Sequence, residues 1–152
     1  TRSAFVTGVQ TCALPICHTV DNSCPPLLAR ELSRFTDAIV VAAAGNSGTS
    51  RPFWPAAAPD VVGVGALDHS GRFAPFSNRG PWVDTAAPGV DVVSSFVHFR
   101  PTSGVAPHTE TREYGAAAWT GTSFAAPRIA AELASLLHTG LSTHDARRVI
   151  VR

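Results

Sequence analysis

Two residues could carry acyl-transfer chemistry if the fold brought them together. Ser123 lies in Gly121-Thr122-Ser123-Phe124-Ala125-Ala126-Pro127, at the start of a helical pattern. A hydroxyl there sits beside backbone N–H groups that have no intrahelical acceptor and beside the positive end of the helix dipole, where an oxyanion would be stabilised. Asn46 follows the apolar run Ala42-Ala43-Ala44-Gly45 and precedes Ser47-Gly48. An Asn after a buried strand lies at the sheet edge where open α/β folds bind ligands, and its amide can donate a hydrogen bond. Each residue also has an ordinary alternative. Ser is a favoured helix cap, and Asn is a favoured turn residue with left-handed geometry. Position alone does not decide between them.

The elements that must position these side chains belong to a chain of 152 residues, the length of one domain. With 45% hydrophobic residues, 15% charged residues and a net charge of +1, the composition excludes a disordered tail, an acidic solvating segment and nucleic-acid binding through basic charge. All 12 positive residues are Arg, which points to a GC-rich coding sequence and to no particular partner. The longest apolar stretches, Ala38–Gly45 and Val61–Leu67, fall far short of the roughly 18 to 20 residues of a membrane-spanning helix, so no membrane partner is expected. The first residues show none of the zones of a secretory signal.

Pro25–Phe35 reads as a helix with Leu27, Leu28, Leu32 and Phe35 on its apolar face. Ala38–Ala44 is apolar without alternation, as expected of a strand covered on both faces in a parallel sheet. Val61–Leu67 repeats that character, and Asp91–Phe96 is a shorter third candidate. Arg51–Asp60 and Arg79–Gly89 carry dense turn signals, and Arg100–Gly115 reads as a polar surface loop or insertion. Pro127 is tolerable in the first turn of a helix, which sets a helix start close to Ser123. Ile129, Ala130, Leu133, Leu136 and Leu137 form its buried stripe, and Gly140 ends it. Ser142 and Asp145 open one more helix through a capping pattern. Helix and buried strand in alternation predict an α/β fold.

The beginning of the chain does not lead into this pattern. Val6–Ile16, VTGVQTCALPI, resembles the in-frame translation of a sequencing-library adapter, so residues 1–16 are expected to stand outside the fold and 17–152 to form the domain. Cys12 falls in that segment and Cys17 at its join. Cys17 and Cys24 have neither a metal-ligand spacing nor a neighbouring His beside Cys24 to make a reactive thiol, so Cys24 reads as a plain thiol.

In this order the motifs resemble those of the subtilisin-like serine proteases, the subtilases. Gly121–Pro127 is similar to their nucleophile motif and Ala42–Gly48 to their oxyanion-hole motif, with Pro75-Phe76-Ser77-Asn78-Arg79-Gly80 and Ala87-Pro88-Gly89-Val90 as further family stretches between them. The resemblance runs from about Ala38 to His138. It implies a three-layer α/β fold with a mostly parallel sheet, present here as its C-terminal part. It implies that Ser123 is the acylated nucleophile and that its N–H and the Asn46 amide hold the oxyanion. Ala43, Ala44 and Gly45 would form one wall of the pocket for the substrate residue before the scissile bond, and Trp54-Pro55 is the candidate for the family's cis proline. The implied substrate is a polypeptide, the implied location extracytoplasmic, and a propeptide belongs to the implied full-length protein.

The family also supplies a general base and an orienting acid from His-Gly-Thr-His-type and Asp-centred motifs that precede the Asn. None of His18, His69, His98, His108, His138 or His144 is followed by Gly-Thr-His, and none of the seven Asp residues is followed by Ser-Gly or Thr-Gly. The family's substrate-binding strand before the first helix is also missing, its place taken by the adapter-like segment. The chain is therefore expected to be inactive alone, as a piece of a serine endopeptidase. A noncatalytic subtilase-like binding or scaffolding domain is the alternative, disfavoured because binding alone has no chemical need for both Ser123 and Asn46. A different hydrolase with Ser at a strand-to-helix elbow is disfavoured because Gly121-Thr122-Ser123-Phe124-Ala125 lacks the second Gly of that elbow. No cofactor is expected. Calcium, which subtilases often bind, finds no Asp/Glu cluster of ligand-like spacing in this chain and stays open for the implied full-length protein.

Overall fold

The computed structural model describes residues 18–100 and 111–151. Residues 1–16, Cys12, Cys17 and His108 lie outside the described residues. The element order is α1 (Pro26–Leu32), β1 (Val40–Ala43), β2 (Val61–Leu67), β3 (Thr85–Pro88), β4 (Val92–Arg100), β5 (Thr111–Trp119), α2 (Thr122–His138) and α3 (Thr143–Ile150). Strands β1, β2 and β3 form a parallel sheet in that order, with Val40 beside Val61 and Val64 beside Thr85. This is the α/β architecture expected from alternating helix and buried strand.

Strand β2 is central among these three, and its first six residues are buried, so both faces must be covered. One face presents Val62, Val64 and Ala66 to Ala125, Ala126, Ile129 and Leu133 of α2 and to Ala146 and Ile150 of α3. The other presents Val61, which packs with Ala42, Ala56 and Ala58 beneath Leu32, Trp54 and Trp82. Helices α2 and α3, the sheet, and α1 with the 54–82 connections thus make three layers. Period-two alternation in β1 assigns Val41 and Ala43 to the first core and Val40 and Ala42 to the second.

Three expectations need correction. The third parallel strand is β3, and the Asp91–Phe96 candidate begins instead a separate antiparallel ribbon, β4 with β5, in register from Val92↔Trp119 to Arg100↔Thr111. Val93 is 70% exposed there, so the segment has no cover of the kind a central parallel strand requires. The stretch read as a loop to Gly115 likewise enters β5 at Thr111. Helix α1 is shorter than expected and buries no residue: Leu27 and Phe35 stay exposed, Phe35 lies beyond its end, and Leu32 makes the packing contact.

Helix α2 ends in a Schellman arrangement. Gly140, at φ +96°, donates its N–H to Leu137 O at 3.0 Å, and Leu141 donates to Leu136 O at 3.4 Å while both leucines pack on the core. Helix α3 starts as the sequence implies, with Ser142 Oγ accepting from Asp145 N–H at 3.1 Å. The Ser142 hydroxyl also donates to Asp145 Oδ2 at 2.6 Å and holds that carboxyl below its ordinary range. A depressed carboxyl contributes stability above its unfolded pKa and loses it as pH falls through the folded one, so this cap weakens only in acid. Ser142→Ala is expected to destabilise the fold by about 1 kcal/mol, read as a lower denaturation midpoint.

Candidate active site

All three parallel strands end at one edge, and the loops that follow them meet there. Gly89, after β3, donates its N–H to Leu67 O at the end of β2 at 3.0 Å, and Gly121 donates to Gly89 O at 2.8 Å. This backbone relay brings the N-terminus of α2 to the carboxyl edge of the sheet, where Asn46 leaves β1 through Ala44 and Gly45. Ala44 extends the strand by donating to Val64 O at 2.8 Å.

Asn46 and the nucleophile candidate are joined through one residue. Asn46 Oδ1 accepts from the backbone N–H of Thr122 and from its hydroxyl, both at 2.9 Å, across 76 positions of sequence. The Thr122 hydroxyl in turn accepts from Gly45 N–H at 3.1 Å. A backbone N–H can only donate, so the oxygen of the Asn46 amide must face Thr122 and the NH2 group is left on the other side. Thr122 is fully buried, while Asn46 and Ser123 are exposed. Both candidates therefore lie at one surface site, held by a buried clamp between them.

The helix boundary removes the ordinary alternative for Ser123. Gly121 is the N-cap residue, Thr122 the first helical residue and Ser123 the second, so the Ser123 hydroxyl is not the cap. A Cβ on Gly121 would lie 3.2 Å from Asn46 Nδ2, which explains a residue without a side chain there. Pro127 is the sixth residue of α2, past the first turn where the sequence reading placed it. Its missing N–H removes the helical bond that would otherwise go to the Ser123 carbonyl. Phe124 stacks on Trp119 with ring centroids 6.3 Å apart, and Trp119 lies 5.6 Å from Phe96.

Gly45 has φ +96°, and a Cβ there would fall 2.5 Å from Asn78 Nδ2 and 2.8 Å from Phe53. Backbone conformation and space exclude a side chain together. Gly45→Ala is expected to cost about 2 to 4 kcal/mol, measured by chemical denaturation. Ala44 is fully buried and Ala43 packs against the first core, so both side chains face the interior.

Four histidines of the sequence, His18, His69, His138 and His144, make other contacts or lie away from the site. His18 Nδ1 meets Pro52 O at 2.9 Å with its ring edge-on to Phe53, His69 pairs with Asp91 at 3.1 Å, His144 lies 3.4 Å from Asp145, and His138 is in the last turn of α2. The carboxyls held below their ordinary range besides Asp145 are Asp21 and Asp68, each by a serine hydroxyl two residues on, Ser23 and Ser70. They stabilise turns. Burial pushes the Cys24 thiol up, consistent with a plain thiol. The Trp54–Pro55 peptide is cis. Among the described residues there is no group of three or more His, Cys, Asp or Glu that could hold a metal, and no helix is long and apolar enough to cross a membrane.

Two residues beyond the sequence reading shape the site. Thr122 orients Asn46, and Asn78, fully buried in the Ser77-Asn78 pair, binds the loop that carries Asn46. Both stood inside quoted motifs, and only the fold gives them these partners.

Comparison with known proteins shows the family and the fold. The profile of the Subtilase family matches residues 15–152. The Thermophilic serine proteinase of Bacillus sp. (strain AK1) is 41% identical over 112 residues, covering 74% of this chain and 24% of that protein. Thermitase of Thermoactinomyces vulgaris is 34% identical over 112 residues, covering 74% of this chain and 35% of that protein. Among solved structures, a protease of Pseudoalteromonas arctica PAMC 21717 superposes with a TM-score of 0.68 at 25% identity, over 84% of this chain and 39% of that one. The chain thus spans 24% to 39% of the length of these relatives.

Proposed function

The chain belongs to the subtilase family, and from that premise we propose that it is the part of a serine endopeptidase that supplies the nucleophile Ser123 and the oxyanion donor Asn46. The observation that carries this reading is the Thr122 clamp, which turns the Asn46 NH2 away from Thr122 at the helix turn that bears Ser123. In the reaction, Ser123 Oγ attacks the carbonyl carbon of the scissile peptide while a general base takes its proton. The carbonyl oxygen becomes an oxyanion held by Ser123 N–H, a first-turn donor without an intrahelical acceptor, and by Asn46 Nδ2. The base returns the proton to the departing amine, and water then releases the acyl group from Ser123 by the same route.

In the same reading Ala43, Ala44 and Gly45 form one wall of the pocket for the residue before the scissile bond. In this reading residues 17–152 are the C-terminal part of the catalytic domain, and 1–16 stand outside it but for residues 15 and 16, which the family match takes in. The Asp and His of the triad come from outside this chain, which is inactive without them. The whole protein works on polypeptides outside the cytoplasm. A domain assembled from residues 17–152 and the Asp- and His-bearing portion of a subtilase tests the reading. Peptide hydrolysis that disappears with Ser123→Ala supports it, and a folded assembly without hydrolysis contradicts it.

A further inference from the structure

Asn78 spends its whole side chain on the loop that presents Asn46. Its Nδ2 donates to Ala44 O at 2.8 Å, and its Oδ1 accepts from Ser47 N–H at 3.0 Å and Thr49 N–H at 3.2 Å. Its own N–H donates to Gly45 O at 2.9 Å. These four bonds reach residues on both sides of Asn46, and Asn78 itself is fully buried. Ser77 fixes the platform beneath: its hydroxyl accepts from Ala66 N–H of β2 at 3.0 Å and donates to Asn78 O at 3.2 Å. The loop therefore hangs from the central strand through Ser77 and Asn78.

We propose that Asn78 is a positioning residue that sets the direction of the Asn46 amide by fixing the loop from Ala44 to Thr49. The inference rests on the reading of Asn46 as the oxyanion donor for its meaning, though not for its test. The required chemistry is specific. One donor must face a carbonyl while one acceptor faces two N–H groups, and among side chains of this size only the carboxamide supplies both at every pH without charge. Leucine has the size without the bonds, and an ionised carboxylate has the acceptors without the donor. An ionised carboxylate here would also set a negative oxygen against Ala44 O, whereas its protonated form regains an O–H donor.

That difference gives a readout that loss of packing alone would not move. Hydrogen exchange of the full chain, followed by mass spectrometry and corrected for intrinsic rates, reads Ser47 and Thr49 directly and Thr122 N–H through its bond to Asn46 Oδ1. In Asn78→Ala these amides are expected to exchange about 10-fold to 100-fold faster, with amides in the middle of α2 unchanged. In Asn78→Asp the acceleration is expected at pH 8, with a return toward the wild-type rate at pH 5, because burial and the facing Ala44 carbonyl favour the protonated carboxyl. Asn46→Ala is expected to release Thr122 while Ser47 and Thr49 remain protected. Wild-type rates in Asn78→Ala, loss of protection in Asn78→Asp that is equal at both pH values, or acceleration that includes the middle of α2 in both Asn78 variants would each overturn the proposal. None of these outcomes depends on Ser123 being acylated, so failure here and failure of the catalytic reading are separate results.

Discussion

In a domain that combines residues 17–152 with the Asp- and His-bearing portion of a subtilase, Asn46→Ala is expected to lower kcat about 10²-fold to 10³-fold with little change in KM. The magnitude is that of a subtilisin oxyanion-hole donor and is carried over to this chain. The direction follows from the geometry. Asn46 Oδ1 is occupied by two donors from Thr122, so rotation of the amide would break two bonds at once and place the NH2 against a backbone N–H. On the proposed reading the donor is therefore fixed before substrate arrives, and no reorganisation is needed as charge develops. A donor aimed at the oxyanion helps the transition state more than the ground-state carbonyl, which is why the loss should fall on kcat. A change confined to KM would mean that the amide binds substrate without stabilising the tetrahedral state.

The second large effect concerns the 152-residue chain alone. A fluorophosphonate is expected to label Ser123 no faster than an ordinary surface serine, and no peptide hydrolysis is expected above background. A serine hydroxyl is a weak nucleophile near neutral pH unless a base takes its proton. Loss of the base from a subtilisin costs on the order of 10⁶ in turnover, and the oxyanion donors that remain recover only a fraction of that. His18, His69 and His144 are engaged with Pro52, Asp91 and Asp145, and His138 lies at the end of α2, so none of these four is placed as a substitute base beside Ser123. Rapid labelling abolished by Ser123→Ala would show a base within this chain and overturn that account.

Much of the fold could be read from residues because the signals were local. The unbroken apolar run Val61–Leu67 marks the central strand to its ends, since a strand covered on both faces has no polar position to interrupt it. Gly140 and Ser142 mark the end of α2 and the start of α3 because each side chain, or its absence, serves the backbone beside it. Strand β3 was hidden. Thr85-Ala86-Ala87-Pro88 has little apolar bulk and ends in a proline, yet it pairs with β2 on one side, and only Ala87 is buried in it. The β4 segment misleads in the opposite sense, because Val92-Val93 and Phe96 look like a buried strand while Val93 stands in solvent. Whether an apolar run is covered depends on what packs over it, and that is a property of the whole chain.

The site divides along the same line. Ser123 and Asn46 sit in motifs whose types and order are visible in sequence. The parts that aim them are not. Thr122 meets Asn46 across 76 positions, and Asn78 meets Ala44 and Ser47 across 34 and 31. Asn78 also bonds to backbone groups, which every residue has, so its partners leave no mark of their own in the residue string. Pro127 shows a further limit: its preference for a first turn placed the helix start near Ser123, whereas the fold holds the proline at the sixth position, just after the segment that must stay accessible.

The central claim is that Ser123 becomes acylated at a site whose oxyanion donor is Asn46. The most direct measurement is fluorophosphonate labelling of the assembled domain followed by peptide mapping, with Ser123→Ala and Asn46→Ala beside the parent. The expected result is one adduct, on the peptide that contains Ser123, absent in Ser123→Ala and formed far more slowly in Asn46→Ala. An adduct on any other residue, or one on Ser123 whose rate is indifferent to Asn46, would contradict the account.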